Sequence, residues 1–403
     1  MALKTLSSLF KEKIKNKLVL LRIDINSPVV KAKILDNPRF KESAETIKEL
    51  LKKRAKVAII AHQGRLGSSD FLPLRQHSRL LSSYTKSKIR YVDDLFGNKA
   101  KEAILRLKGG NAILLKNVRS FKDELVIKKN NRYKLLCKLF DLFINDAFSV
   151  SHREQGSIIL PPHYLPSYIG RNFEKELFIL RKFKFNKSKR TLFLIGGAKV
   201  EDYLPLFSAL MNKNNIVLAS GVLANLFLVS KGVNLGFENQ WLKKKGYFPL
   251  LPKLKMLIKK HKKQIILPLD FAVDNNGKRQ EKELLAFPIK KKILDVGHET
   301  TALFKKYLSK SDIIFMKGPL GFSEIPRFSY GTVHILKYIS KLSKKKRIFS
   351  LLGGGHLTTT IQKYHIPNNF SYISTSGGTL IAFLSGEKLP GIAALKMNIE
   401  IFK

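Results

Sequence analysis

Short apolar runs alternate with longer stretches of helical period along most of the chain, the pattern of parallel sheets covered by helices. In the first half, Leu18–Ile23, Val57–Ala61, Ala112–Leu115 and Leu142–Asn145 are predicted strands, with helices over Glu42–Lys53 and Leu74–Thr85. In the second half, strands are predicted at Thr191–Ile195, Ile216–Ala219, Gln264–Pro268, Ile313–Met316, Arg347–Leu352 and Tyr372–Thr375. Between the halves, the apolar residues of Phe173–Phe183 fit one helix face, and the proline-punctuated stretch Leu160–Pro166 precedes them. The fold class predicted is α/β with two domains, and their boundary falls near residues 165–185.

Length agrees with that division, because 403 residues are enough for two ordinary cores. The single cysteine, Cys137, rules out an intramolecular disulfide and is expected to be buried in a helical stretch. That suits a reducing compartment, and a cytoplasmic location is expected. The first residues lack the apolar stretch and cleavage site of a secretory signal, and no window approaches the roughly 20 apolar residues of a membrane helix. A soluble protein is expected.

Charge adds a complication. Lys and Arg number 75 against 30 Asp and Glu, a net charge of +45 that attracts any anion. The runs Lys243–Lys245, Lys290–Lys292 and Lys344–Lys346 read as solvated surface, and no nucleic-acid recognition motif accompanies the charge.

Ligands of an open parallel sheet bind at the carboxyl ends of its strands, so the residues there carry the chemistry. In the first half those positions hold Asp24 and Asn26, His62 and Arg65, Asn117 and Arg119, then Asn145, Asp146, His152 and Arg153. Arg39 joins them from a nearby loop. Any one arginine among so many cations is ordinary, but four at successive strand ends and loops suit a small, multiply anionic ligand. In the second half the same positions hold glycines: Gly196-Gly197, Gly221, Gly318, Gly321, Gly353-Gly354-Gly355 and Gly377-Gly378. Glycine between strand and helix lets the backbone approach a phosphate, and Lys199 adds a cation. Neither the P-loop nor the dinucleotide fingerprint is present. The residues alone therefore point to an anionic substrate on one domain and a nucleotide on the other.

The motifs Arg22-Ile-Asp24-Ile-Asn26-Ser-Pro28, His62-Gln-Gly-Arg65, Asn145-Asp-Ala-Phe148 and Gly196-Gly-Ala-Lys199 resemble those of the phosphoglycerate kinases. So do Gly318-Pro-Leu-Gly321, Gly353-Gly-Gly-His356, Ser374-Thr-Ser-Gly-Gly378 and Leu389-Pro-Gly391, all in family order from about residue 18 to 395. Ala224-Asn225-Leu-Phe227 and His356 resemble the archaeal branch. The resemblance implies two Rossmann-like domains joined by a helix and a hinge that closes. These would be a substrate domain over 1–170, a connecting helix over 171–186 and a nucleotide domain over 187–384, with the tail 385–403 folding back on the first. It implies phosphoryl transfer between 1,3-bisphosphoglycerate and ADP, giving 3-phosphoglycerate and ATP.

By the matched motifs, Asp24, Ile25, Asn26, Arg39, His62, Gln63, Gly64, Arg65, Arg119 and Arg153 would form the 3-phosphoglycerate site. Gly196, Gly197, Lys199, Glu324, Gly353, Gly354, Gly355 and His356 would form the nucleotide site, with Glu324 set for the ribose. Mg2+ would arrive with the nucleotide, as MgATP or MgADP, rather than at a protein metal site. Arg39 and Lys199 would neutralise the charge of the transferring group. The protein would be a monomer or small homo-oligomer with no membrane or specific nucleic-acid partner.

Lys317 stands where the family has Asn before Gly-Pro, Ser220 and Ser376 each replace a glycine, and His356 replaces an Asp of other branches. These departures cluster in the nucleotide half. They keep open two alternatives: a catalytically weakened paralogue, and a basic nucleic-acid binder on the same fold.

Overall fold

The computed structural model describes residues 3–127, 131–184, 189–211, 214–345 and 348–402. The chain forms two compact units, Met1–Lys182 with Gly386–Lys403, and Phe183–Ser385. Lys346 and Arg347, and with them the start of the strand expected from Arg347, lie outside the described residues, as do positions 185 and 186 of the expected connecting helix.

In the first unit, β1 (Leu18–Arg22), β2 (Lys56–Ile60), β3 (Ile89–Tyr91), β4 (Ala112–Leu114), β5 (Leu142–Asn145) and β6 (Ser167–Ile169) form a parallel sheet in the order β3-β4-β2-β1-β5-β6. Both faces are covered, so the strands read as continuous apolar runs rather than alternating ones. Val19, Leu21 and Ile23 enter one core with Phe40, Ile47 and Leu50, while Leu20 enters another with Ile104 and Phe143. Helix α1 (Pro38–Lys52) starts where Asn37 accepts a hydrogen bond from the Arg39 amide and Pro38 occupies the first turn. It buries Phe40, Ala44, Ile47 and Leu50 on one face.

The C-terminal helix Pro390–Ile401 packs on this unit. Asn398 donates from Nδ2 to the carbonyls of Pro162 and Leu165 at 2.6 and 2.8 Å and accepts from the Ser167 amide at 2.9 Å. Helix α2 (Arg171–Lys184) crosses from the first unit's sequence into the second's.

In the second unit, β7 (Thr191–Ile195), β8 (Ile216–Ala219) and β9 (Ile265–Ile266) pair with later strands in a parallel sheet ordered β9-β8-β7-β13-β14-β15. The later strands are β13 (Ile313–Lys317), β14 (Phe349–Gly353) and β15 (Tyr372–Ser374). The intervening β10 (Asp270–Asn275), β11 (Lys278–Glu283) and β12 (Ile293–Val296) form a small antiparallel sheet that the apolar pattern did not signal. Its hairpin turns at Asn276 and Gly277, both at positive φ. The expected strand Gln264–Pro268 shrinks to two residues at the sheet edge. Also unforeseen are β3 and β6, each three residues long, and a two-stranded hairpin of Val29–Val30 with Lys33–Ile34.

Candidate active site

In both sheets the strand order reverses beside a central strand, at β1/β5 and at β7/β13. The crevice outside the carboxyl ends of such strands is where α/β sheets bind ligands. The predicted residues of each unit gather there.

Asp24, just beyond β1, is 4% exposed. Its carboxylate lies 3.2 Å from Arg39 Nη1, accepts from the Ser149 hydroxyl, and accepts from the Asn26 amide at 3.0 Å. Burial alone would raise its pKa, but the charge of Arg39 and these hydrogen bonds outweigh it, so the carboxyl is held well below the usual range. Arg39 also donates to the Asn26 carbonyl at 3.0 Å. The cap on α1 thus sets Arg39 in the first helical turn, and an always-ionised Asp24 fixes its guanidinium.

His62, beyond β2, is buried and lies against Arg22, whose Nη2 is 3.2 Å from His62 Nδ1. Arg22 is fully buried, with Nε donating to Ser157 Oγ at 2.9 Å and Nη1 donating to the Ile23 carbonyl. Ser157 in turn donates to Glu124 at 2.9 Å from both its hydroxyl and its amide, and Tyr133 donates to Glu124 at 2.9 Å. Burial depresses the His62 pKa well below its usual value, and the Arg22, Arg119 and Arg39 charges add to this against Asp24.

Arg119 follows β4, where Asn117 accepts from its amide at 3.1 Å and its guanidinium donates to the Gly64 carbonyl. Burial, then Arg153 and Arg22, push its pKa down to about 10, and burial with Arg65 also lowers Arg153. Both remain cationic near neutrality. Buried guanidinium groups lowered by their arginine neighbours make a site in which an anion relieves repulsion. Arg65 is exposed at its edge.

Three predicted residues serve the frame. Ile25 is fully buried in the core and offers only its backbone. The Gln63 side chain accepts from the Ser27 amide at 2.8 Å and donates to the Ser27 and Asp70 carbonyls at 2.9 Å. It also accepts from His77 Nε2 at 2.9 Å. Gly64 takes φ +64, and its amide donates to Asn26 Oδ1 at 2.8 Å; a Cβ there would overlap the Asp70 carbonyl. The residues that sequence reasoning passed over are Arg22, Glu124, Ser149 and Ser157. Arg22 carries a visible signal, a charge closing an otherwise apolar strand.

In the second unit the Gly196 amide donates to the Lys317 carbonyl at 2.8 Å, and the Gly197 amide donates to that of Pro319 at 2.9 Å. Gly197, Gly221 and Gly318 all take positive φ, and these close backbone approaches leave no room for a Cβ at Gly196. Lys199 is exposed beside this turn. Gly354 caps α3, here Gly355–Lys363, whose second residue is His356. His356 Nδ1 is 2.9 Å from Glu324 Oε1, both exposed, and Lys363 donates to the Glu324 carbonyl at 2.7 Å. Among the described residues, no three His, Cys, Asp or Glu side chains cluster as a metal cage.

A family model for phosphoglycerate kinase matches residues 9–387. The chain belongs to the phosphoglycerate kinase family. The phosphoglycerate kinase of Pyrococcus horikoshii is 36% identical over 401 residues, covering 96% of this chain and 97% of that protein. That of Sulfurisphaera tokodaii is 39% identical over 396 residues, covering 94% and 93%. The crystal structure of the Pyrococcus horikoshii kinase superposes with a TM-score of 0.91 at 35% identity, covering 98% of this chain and 99% of that one. The structure of the Coxiella burnetii kinase gives 0.80 at 28% identity. As a phosphoglycerate kinase the chain is an enzyme of reversible phosphoryl transfer, with phosphoglycerates and ATP or ADP as its substrates. The α/β fold with two parallel sheets agrees with this, and nothing favours the weakened-paralogue or nucleic-acid-binding alternatives.

Proposed function

We propose that 3-phosphoglycerate binds in the first unit among Arg39, Arg65, Arg119 and Arg153, with Asp24, Asn26 and His62 completing the site. The observation that carries this reading is the placing of Arg119 and Arg153 at the strand ends, two partly buried guanidinium groups lowered first by burial and then by neighbouring arginines, whose charges call for an anion. The acceptor is a carboxylate, ionised at neutral pH, so no general base is needed. Catalysis then rests on alignment and on neutralising charge over the equatorial oxygens. Arg39, oriented by Asp24, and Lys199 take that role.

The nucleotide, entering as its Mg2+ complex, lies over Gly196, Gly197, Lys199 and the Gly353–His356 turn, with Glu324 facing the ribose. Among the described residues no helix is long and apolar enough to cross a membrane. We take the enzyme to act in the cytoplasm as a monomer or small homo-oligomer.

The test is a coupled assay with 3-phosphoglycerate and MgATP, following acyl-phosphate formation through NADH oxidation by an added dehydrogenase. Wild type turns over, and Arg39→Ala loses at least about a hundredfold in kcat, the scale of one lost electrostatic contact to a transition state. Equal turnover in both would overturn the role of Arg39.

A further inference from the structure

The carboxyl ends of the first unit's strands hold the site described above, and a cavity opens at the opposite end of the same sheet. Its volume is about 460 Å3, and all its lining residues fall between Ser87 and Ile113. Strands β3 and β4 begin there, paired from Ile89 with Ala112, and the last turn of the helix Asn98–Leu105 forms the other wall. The floor is apolar, made by the buried side chains of Ala103, Leu107 and Ile113. The rim holds four exposed cations, Lys88, Arg90, Arg106 and Lys108, and none of the lining residues is acidic.

Two of these cations have an ordinary explanation. Arg106 and Lys108 follow the helix, whose last carbonyls attract positive charge, and Arg106 Nη2 lies 3.5 Å from Glu102 Oε2. Lys88 and Arg90 have none. Among the described residues, no acid pairs with Lys88, Arg90 or Lys108. Charge on an edge strand such as β3 deters pairing with another chain. A guard of that kind needs neither an apolar hollow beside it nor two more cations lining the same hollow.

Four positive charges around an apolar floor match one kind of guest, an organic molecule with an apolar body and several anionic groups at its margin. The volume falls in the range of about 300–1,000 Å3 typical of small-molecule sites. The body displaces water from Ala103, Leu107 and Ile113, and the anionic groups take charge-assisted hydrogen bonds from the rim. We propose that this cavity is a second ligand site, binding such a polyanion at the end of the sheet remote from the strand-end arginines. The net charge of the chain draws any anion to the surface, whereas this cavity selects those that carry an apolar body.

The test titrates pyranine, a fluorescent pyrene trisulfonate, into the full chain at about 0.15 M salt, with 3-phosphoglycerate and MgADP present in excess to fill the substrate sites. One pyranine is expected to bind per chain. The double variant Lys88→Ala/Arg90→Ala weakens it by at least about tenfold, the scale of a lost charge-assisted hydrogen bond. Lys259→Ala/Lys260→Ala removes the same charge from exposed positions of the second unit and leaves pyranine affinity within about twofold of wild type. Pyrenemethanol, which lacks the charge, and inorganic pyrophosphate, which lacks the body, both bind more weakly than pyranine. Equal losses in the two double variants would mean attraction by bulk charge and overturn the proposal. So would pyrophosphate binding as tightly as pyranine, or no stoichiometric binding to wild type. Turnover of 3-phosphoglycerate checks that the variants are folded. Should either be inactive, acetylation of wild-type lysines read by mass spectrometry decides: pyranine protects Lys88 and Lys108 but not Lys259 or Lys260, and equal reactivity with and without pyranine overturns the proposal.

Discussion

Arg22 Nη2 lies 3.2 Å from His62 Nδ1, which fixes where the imidazole carries its proton. A guanidinium only donates, so Nδ1 must present its lone pair. Asp24 Oδ1, at 3.9 Å from the same nitrogen, is too far to accept a proton from it. His62 is thus a neutral imidazole with its hydrogen on Nε2, and Nε2 has no hydrogen-bond partner among the described residues. That makes it a donor for a bound anion. Long-range 15N–1H NMR of the free enzyme is expected to show the Nε2–H tautomer at pH 7. The depressed pKa keeps it neutral well below pH 6.5. An Nδ1–H tautomer or an imidazolium at pH 7 would contradict the arrangement.

The charge of Arg22 itself has to be balanced, because it is fully buried. Ser157 links it to Glu124, which is also fully buried. Removing the acid beyond the bridging Ser157 hydroxyl leaves the buried Arg22 charge less compensated. Glu124→Gln is therefore expected to lower unfolding stability by about 3 kcal/mol, read from urea denaturation. It also loosens Arg22, so the apparent pKa of His62 moves in the same variant. A change below about 0.5 kcal/mol, the size of ordinary surface substitutions, would mean that Arg22 does not depend on Glu124.

How much of this is legible in the sequence depends on which interaction shapes each part. Leu142–Asn145 and Thr191–Ile195 read as strands at their observed bounds because burial on both faces leaves an unbroken apolar run. Lys278–Glu283 does not, since Lys-Arg-Gln-Glu-Lys-Glu is a strand only by pairing with Asp270–Asn275, and the Asn276-Gly277 turn is its one local mark. The strand-end cations were visible one by one. The contact between Arg22 and His62 was not, because the parallel register of Arg22 with Ile60 creates it across 40 positions of sequence. Lys317 announced itself as a departure from the family, but only the fold shows its ammonium beside three glycines.

His77 makes the first unit sensitive to acid. Burial pushes its pKa down to about 4, while Nε2 donates to Gln63 and the ring packs 5.9 Å from that of Phe40. The unfolded chain takes up a proton near pH 6.5 that the native state refuses until about pH 4, so stability present above 6.5 is lost as pH falls between those values. The full gap corresponds to about 3 kcal/mol. Asp146, raised by burial to about 7, acts in the opposite direction, its contribution being lost as pH rises. The readout is therefore the stability difference between wild type and His77→Gln, measured at pH 7 and pH 4. The variant is expected to lose less on acidification, and parallel losses would place the acid sensitivity elsewhere.

Gly64 lies in the first unit, among the residues proposed to hold 3-phosphoglycerate. Its φ of +64 lies in the left-handed region, and an added Cβ would meet the carbonyl of Asp70 and the amide of Phe71. Gly64→Ala therefore costs about 1–3 kcal/mol of backbone strain unless the turn moves. If it moves, it carries the carbonyl that Arg119 holds and the amide that Asn26 accepts from. Either way, KM for 3-phosphoglycerate is expected to rise several-fold while equilibrium affinity for MgATP stays at the wild-type value. Gly196→Ala supplies the mirror image, because its Cβ would overlap the Pro319 carbonyl at the turn proposed for the nucleotide. It should weaken MgATP and spare 3-phosphoglycerate. If each substitution impaired both ligands equally, the division of the site between the two strand-end clusters would be wrong.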